Sequence, residues 1–129
     1  MRYIIDSYAW LEYFMGTEAG RGVKEIIDSE ADEKLTPSIC LAETYAKILK
    51  TEDEKKAELR REFIKSRSAL VPLVEELAVE AAKIDVAMKK KVQGWGLADS
   101  IVLSTARNRK GKVVTGDLHF RGLAEAHMI

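Results

Sequence analysis

Short apolar runs alternate with longer stretches of helical periodicity along the whole chain. Arg2-Tyr3-Ile4-Ile5 is β-prone and ends at Asp6, so it reads as a buried strand. Ser7 to Met15 has helical spacing and is stopped by Gly16. Thr17 caps a second predicted helix to about Ser29, although Gly20 and Gly22 weaken the pattern. Lys34-Leu35-Thr36 is a second strand, and Pro37-Ser38 opens a helix to about Lys50. Thr51-Glu52-Asp53-Glu54 has the form of a capping box and opens a charged helix to about Ser66. Ala69 to Leu73 is a third strand, with Pro72 favouring a sheet edge or a strand end. A long helix spans Glu75 to Lys91, and Gly94-Trp95-Gly96 is a loop. A further helix covers Leu97 to Arg109, closed by Gly111. Lys112 to Thr115 is the fourth strand, followed by a Gly116-Asp117 turn, a short helix around His119–Ala124 and a last strand at His127–Ile129.

Strands alternating with helices predict right-handed crossovers and a parallel sheet covered on both faces. The expected fold is therefore α/β, in three layers α/β/α, with a central parallel sheet of four to five strands. No repeat, low-complexity tract or linker interrupts the 129 residues, which suits one continuous domain over 1–129. In such sheets, sites form outside the carboxyl ends of the strands. The residues to examine are those just after each strand.

Asp6 ends the first strand, and Asp117 lies just past the fourth. If those strands are neighbours, a strand spacing of ~4.8 Å brings both carboxylates to one cleft. Each also fits a plainer role, Asp6 as a helix N-cap and Asp117 as a turn residue. Asp99 shares a helix face with Val102, Leu103 and Ala106, so an acid sits on an apolar stripe. A buried carboxylate must be paired, protonated or bound to a cation, unless Asp99 merely serves the helix dipole in the first turn. Glu43 lies at the edge of the stripe Ile39, Ala42, Ala46 and Leu49, a place that also suits a solvated acid. Gathered in one pocket, four carboxylates would not all ionise without a cation. Oxygen-only ligation suits Mg²⁺ or Mn²⁺, and two such ions suit phosphodiester cleavage.

Charge adds to this picture. Lys and Arg total 21 and so do Asp and Glu, which argues against nucleic-acid binding by bulk positive charge. The distribution is uneven. Residues 1–43 hold four basic and nine acidic side chains, and residues 86–112 hold seven basic side chains with Asp99 as the only acid. Such a run is usually a solvated face, but here it brackets a candidate metal acid and could track a phosphate backbone. Without the four proposed ligands the scaffold carries 21 basic against 17 acidic groups. Cys40, the only cysteine, has neither a nearby base nor zinc-ligand spacing and reads as core packing. The absence of disulfide pairs, of a signal-like apolar segment and of a membrane span predicts a cytoplasmic protein. Tyr8, Trp10, Leu11, Tyr13 and Phe14 fit either a core or a partner groove. Trp95 is read as packing its loop rather than stacking on a base.

Several short segments, in this order and spacing, resemble the PIN-domain ribonucleases, and among them the VapC-like toxins of toxin–antitoxin pairs. They are Tyr3-Ile4-Ile5-Asp6-Ser7, Leu41-Ala42-Glu43, Gly96 to Ala106 around Asp99, and Val114-Thr115-Gly116-Asp117-Leu118-His119-Phe120. The likeness spans nearly the whole chain. It implies a site of Asp6, Glu43, Asp99 and Asp117 holding one or two Mg²⁺ or Mn²⁺ ions. It also implies cleavage of single-stranded RNA regions by metal-activated water. Ser7 and Thr115 match hydroxyl positions that orient the carboxylates. Lys89, Lys90, Lys91, Arg107 and His119 are candidate RNA contacts. His119 departs from the pattern, because many relatives carry a further Asp just before this Phe. The resemblance further implies a homodimer and a cognate antitoxin that inserts a helix or tail into the cleft. Two other readings compete with it. One is a catalytically inactive PIN-like module that binds RNA or protein. The other is a small metal-dependent phosphatase of the haloacid-dehalogenase type, disfavoured because the position two after Asp6 is Tyr8. A receiver domain is disfavoured for want of an acidic pair at the first strand end.

Overall fold

The computed structural model describes residues 1–129. Its strands are β1 (Arg2–Ile5), β2 (Glu33–Pro37), β3 (Ala69–Val71), β4 (Lys112–Thr115) and β5 (Ala126–Met128). Its helices are α1 (Ser7–Met15), α2 (Glu18–Asp28), α3 (Ser38–Thr51), α4 (Glu54–Arg67), α5 (Glu75–Met88) and α6 (Leu97–Arg109). All four strand pairings are parallel, and the sheet order is β3-β2-β1-β4-β5. The expected three-layer α/β fold is present, with five strands.

The period of two along the strands builds the layers. Ile4 and Val113 face a core that includes Leu77, Ile84, Val102 and Leu103 of α5 and α6. Ile5 and Val114, one residue on, face the opposite core, with Ala9 and Trp10 of α1, Val23 and Ile27 of α2, and Ile64 of α4. The chain moves outward from β1 through β2 to β3, then returns to place β4 on the other side of β1, with Ile5 opposite Val114. The switch in strand order therefore lies between β1 and β4, where α/β sheets open a crevice.

Most predicted boundaries hold within a few residues, and the exceptions have local causes. Asp53, not Thr51, caps α4, accepting from the Lys56 N–H at 2.8 Å. Thr51 instead ends α3, its hydroxyl donating to the Lys47 carbonyl. The predicted helix to Lys91 stops at Met88, and Lys89–Lys91 form a turn in which the Lys91 N–H returns to the Met88 carbonyl. The short helix after β4 is a single 3₁₀ turn, Leu118–Phe120. At the end of α6, Lys110 takes the left-handed conformation (φ 54°). Gly111 serves another purpose there, since a Cβ would press against the Arg2 carbonyl of β1 at 3.0 Å.

The apolar stripe expected on α3 also turns out differently. Cys40, Thr44 and Ile48 are the buried positions, while Ala42, Ala46 and Leu49 face outward. Thr44 is buried at no cost in hydrogen bonding because its hydroxyl donates to the Cys40 carbonyl at 2.7 Å. Cys40 is core, as its isolation predicts.

The aromatic residues of α1 divide. Trp10 is fully buried, its Nε1 donating to Thr36 Oγ1 at 3.1 Å. Tyr13 and Phe14 join Trp10 and Phe63 of α4 in stacked and edge-to-face pairs. Only Tyr8, 44 % exposed, turns toward solvent. Trp95 is buried, its indole N–H donating to Ser100 Oγ at 2.7 Å.

Gly20, which weakened the helix prediction, lets α2 lie directly on the backbone of α1, where a Cβ would overlap the Glu12 carbonyl. Gly20→Ala is expected to destabilise the protein by about 1–3 kcal/mol, the cost of overpacking. Gly22→Ala, with open space beside it, should be neutral or slightly stabilising. Denaturant unfolding of the two variants checks this, and equal midpoints would refute the close packing of α1 on α2.

Candidate metal centre

The carboxyl ends of β1 and β4 open into a cleft of about 180 Å³ lined by Asp6, Glu43, Asp99 and Asp117, together with Ser7 and Tyr8. All four predicted acids thus reach one place. No Lys or Arg is among its lining residues.

The plainer roles foreseen for the aspartates hold at the same time as their gathering. Asp6 N-caps α1, its Oδ1 accepting from the Ala9 N–H at 2.9 Å. Asp99, in the first turn of α6, reaches back to the cap residue, its Oδ2 accepting from the Gly96 N–H at 3.0 Å. Asp117 caps the 3₁₀ turn, its Oδ1 accepting from the His119 N–H at 2.9 Å. A carboxylate has about four acceptor sites, so one backbone bond fixes its orientation and leaves oxygen lone pairs for the cleft. Each helix start therefore aims an acid at the crevice.

The hydroxyls flanking the strands reach these acids. Ser7 Oγ donates to Glu43 Oε1 at 3.1 Å. Thr115 Oγ1 accepts from the Asp117 N–H at 2.9 Å, and the Thr115 hydroxyl is near enough to Asp6 to lower its pKa. Gly116 lies under the ring of Tyr8, and a Cβ there would overlap that ring.

Electrostatics set Asp6 apart. It is only 6 % exposed. Burial pushes its carboxyl up to about 7, partly countered by the hydrogen bonds from Thr115 and Ala9, with Asp117 and Glu43 adding repulsion. Glu43, at the rim, is also raised, first by desolvation and then by the charges of Asp99 and Asp117. These are acids held together with no Lys or Arg among them, as expected where a cation completes the site. The donors are mainly carboxylate oxygens, which suit a hard divalent ion such as Mg²⁺ or Mn²⁺. The residues present fit such an ion.

His119 belongs to this cluster more closely than its reading as an RNA contact foresaw. Its Nδ1 stands 3.0 Å from Asp99 Oδ2 and 3.6 Å from Asp117 Oδ1. Asp99, Asp117 and His119 each offer one ligand atom, and these atoms lie within 4.8 Å of one another. The hydrogen bond to Asp99 raises the imidazole pKa. The signal available in the sequence was the spacing Asp117-x-His119 in a tight turn, which returns the second side chain to the first.

The basic residues that bracket Asp99 in sequence divide in space. Ser100 Oγ reaches Asp85 Oδ1, and Ser104 Oγ reaches the Leu77 carbonyl, so α5 and α6 run antiparallel. The end of α5, with Lys89–Lys91, therefore lies at the cleft end of α6. Arg107 sits eight residues beyond Asp99, ~12 Å along the helix, and its Nε pairs with Glu125 at 3.0 Å. It stands apart from the cleft.

A family model for the PIN domain matches residues 3–126. No curated protein sequence matches the chain. Solved structures share its fold. VapBC2 from Rickettsia felis, bound to a DNA fragment from its promoter, superposes with a TM-score of 0.77 at 14% identity, covering 100% of this chain and 98% of that one. A toxin–antitoxin complex from Klebsiella pneumoniae gives 0.76 at 18% identity, covering 98% and 99%. VapC20 of Mycobacterium tuberculosis, a toxin that cleaves the sarcin–ricin loop, gives 0.75 at 14% identity, covering 95% and 97%.

Proposed function

The chain belongs to the PIN-domain family, and from that premise we propose that it is a metal-dependent endoribonuclease, the toxin of a toxin–antitoxin pair, cutting single-stranded regions of RNA. The observation that carries this reading is the convergence of Asp6, Glu43, Asp99 and Asp117 on one crevice without any Lys or Arg in its wall. Such a cleft repels RNA unless a cation neutralises it.

Asp99 and Asp117, with Asp6 and Glu43 beside them, would hold the ion. A divalent ion bound there supplies Lewis acidity toward the phosphate and lowers the pKa of water. The chain supplies the positioning. Ser7 holds Glu43, Thr115 holds the backbone of Asp117, and bonds from backbone N–H groups fix the aspartates. A carboxylate left free of the ion would be available as a general base toward water. The Cys40 thiol is no competing nucleophile, because it is buried and its pKa is pushed well up by desolvation.

Lys90 and Lys91, exposed at the cleft end of α5, are the proposed contacts to the RNA backbone, with Lys89 partly engaged by Asp85. The exposed apolar face of α3, a groove bounded by Leu41, Ala42, Tyr45, Ala46 and Leu49, supports the reading that a protein partner covers it. The proposed partners are a cognate antitoxin and a second copy of the chain. No helix is long and apolar enough to cross a membrane.

Purified protein incubated with a single-stranded RNA oligonucleotide should cleave it with Mg²⁺ or Mn²⁺ and lose that activity in a chelator. Undiminished cleavage in the chelator would overturn the proposal, and metal binding without any cleavage would favour the inactive binding module. Replacing Lys90 and Lys91 with Ala should weaken RNA binding uniformly across sequences. It should also lower the slope of log affinity against log salt by about one for each phosphate no longer neutralised. An unchanged slope would remove these lysines from the RNA path.

A further inference from the structure

Against two of the cleft's acids stands one side chain that oxygen-only ligation does not explain. His119 follows Asp117 in a 3₁₀ turn, and the bond from its own N–H to Asp117 Oδ1 folds the imidazole back over that carboxylate. The ring is held from behind. Gly94, at φ 81°, lies so near that a Cβ there would stand 3.2 Å from Nε2, and the Trp95 ring centroid is 6.4 Å away. Nδ1 is thereby the nitrogen directed at the acids.

Its distance to Asp99 is that of two neighbouring ligands in a coordination shell. Right-angled ligands around a small divalent ion, each ~2.1 Å from it, are about 3 Å apart. Nδ1 is 3.0 Å from Asp99 Oδ2 and 3.6 Å from Asp117 Oδ1, and all three atoms fall within 4.8 Å of one another. Side chains that meet here without an ion thus need only a small adjustment to share one. We propose that His119 Nδ1 is itself a ligand of the ion held by Asp99 and Asp117, so that this position has a mixed oxygen–nitrogen donor set and prefers Mn²⁺ to Mg²⁺. The inference rests on the metal-dependent reading given above.

The preference follows from ligand chemistry. Mg²⁺ keeps to oxygen ligands and gives up water reluctantly, whereas imidazole is a good donor to first-row transition ions. An aspartate at position 119 would supply only oxygen. The histidine thus decides which ion the cleft selects while leaving its shape alone.

Pulsed electron paramagnetic resonance of the full-length protein loaded with Mn²⁺ tests this without reference to activity. The expected spectrum carries nitrogen modulation from a directly bound imidazole, and that modulation is absent in His119→Asp. Titration with each ion should show the ratio of Mn²⁺ to Mg²⁺ affinity falling by about tenfold or more in His119→Asp, while both ions still bind. Mn²⁺ bound to the wild-type protein without nitrogen modulation would overturn the inference and leave the nuclease reading standing. Failure of the wild-type protein to bind Mn²⁺ or Mg²⁺ at all would overturn both.

Discussion

Asp99→Asn is expected to reduce RNA cleavage by on the order of 10³-fold or more, equivalent to about 4 kcal/mol of lost transition-state stabilisation. The substitution is nearly isosteric, so its consequences can be separated. The amide oxygen of Asn can still accept from the Gly96 N–H, which Asp99 now bonds at 3.0 Å, and α6 keeps its cap. Its charge is lost, and with it a carboxylate adjoining both His119 and Asp117. The fold should therefore survive, and the thermal midpoint should stay near that of the wild type. Single-turnover cleavage of a labelled RNA, with unfolding followed in parallel, measures the two effects. Wild-type cleavage by well-folded Asp99→Asn would remove this carboxylate from the chemistry and, with it, the proposed function.

Asp6→Asn should be inactive for the same reason and yet more stable than the wild type at neutral pH and above. Burial holds the Asp6 carboxyl near 7 in the folded chain, against about 3.9 in an unfolded one. The folded state keeps a proton that the unfolded state releases between those values. This contribution to stability is fully present below about pH 4 and is lost as pH rises through 7. At 1.36 kcal/mol per pH unit, the gap approaches about 4 kcal/mol as an upper bound. The metal-free wild type should therefore melt at progressively lower temperature from pH 5 to pH 8, a trend that Asp6→Asn flattens. Asn also caps helices well, so α1 should keep its start. Added Mn²⁺ or Mg²⁺ should recover the wild type at pH 8 by binding the folded state, and should help the variant less. Identical pH slopes for the two proteins would show that Asp6 does not carry the buried charge.

Stability and activity oppose each other here for a physical reason. Asp6 lies at the end of the central strand, in a cleft without a Lys or Arg side chain. An anion at that position is costly to the metal-free fold, and under the proposed function it becomes useful once a cation binds.

Much of this arrangement is legible in the sequence where the signal is local. The Ile4-Ile5 pair and the Val113-Val114 pair each put one side chain into each core, so the strands and the layered fold follow from the order of residues. Gly16 ends α1 in the left-handed conformation, as an isolated glycine after a helical run predicts. The positions of Asp6 and Asp117, each just past an apolar strand, point to the crevice before any coordinates are known.

Readings that depend on a choice between neighbours fare less well. α3 carries two partly apolar faces, and the wrong one reads as core because Thr44 scores as polar. Its hydroxyl is satisfied within the helix, so burying it costs little. Asp53 outcompetes Thr51 as a cap because Thr51 is already the last residue of α3. Arg107 and the lysines of residues 89–91 look like one basic run, but the antiparallel packing of α5 on α6 sends them to opposite ends.

By itself, the sequence determined the alternation of strands and helices, the faces that must be buried, and the placing of acids at strand ends. These follow from periodicity and capping, which act over a few residues. Only the tertiary structure decided that β4 returns beside β1, so that Asp6 and Asp117 share a crevice although they stand at opposite ends of the chain. It also decided that Asp6 loses its solvent, that His119 joins Asp99 and Asp117, and that Arg107 does not approach them. Desolvation and Coulomb energy depend on distance through space, and that distance exists only once the layers have packed.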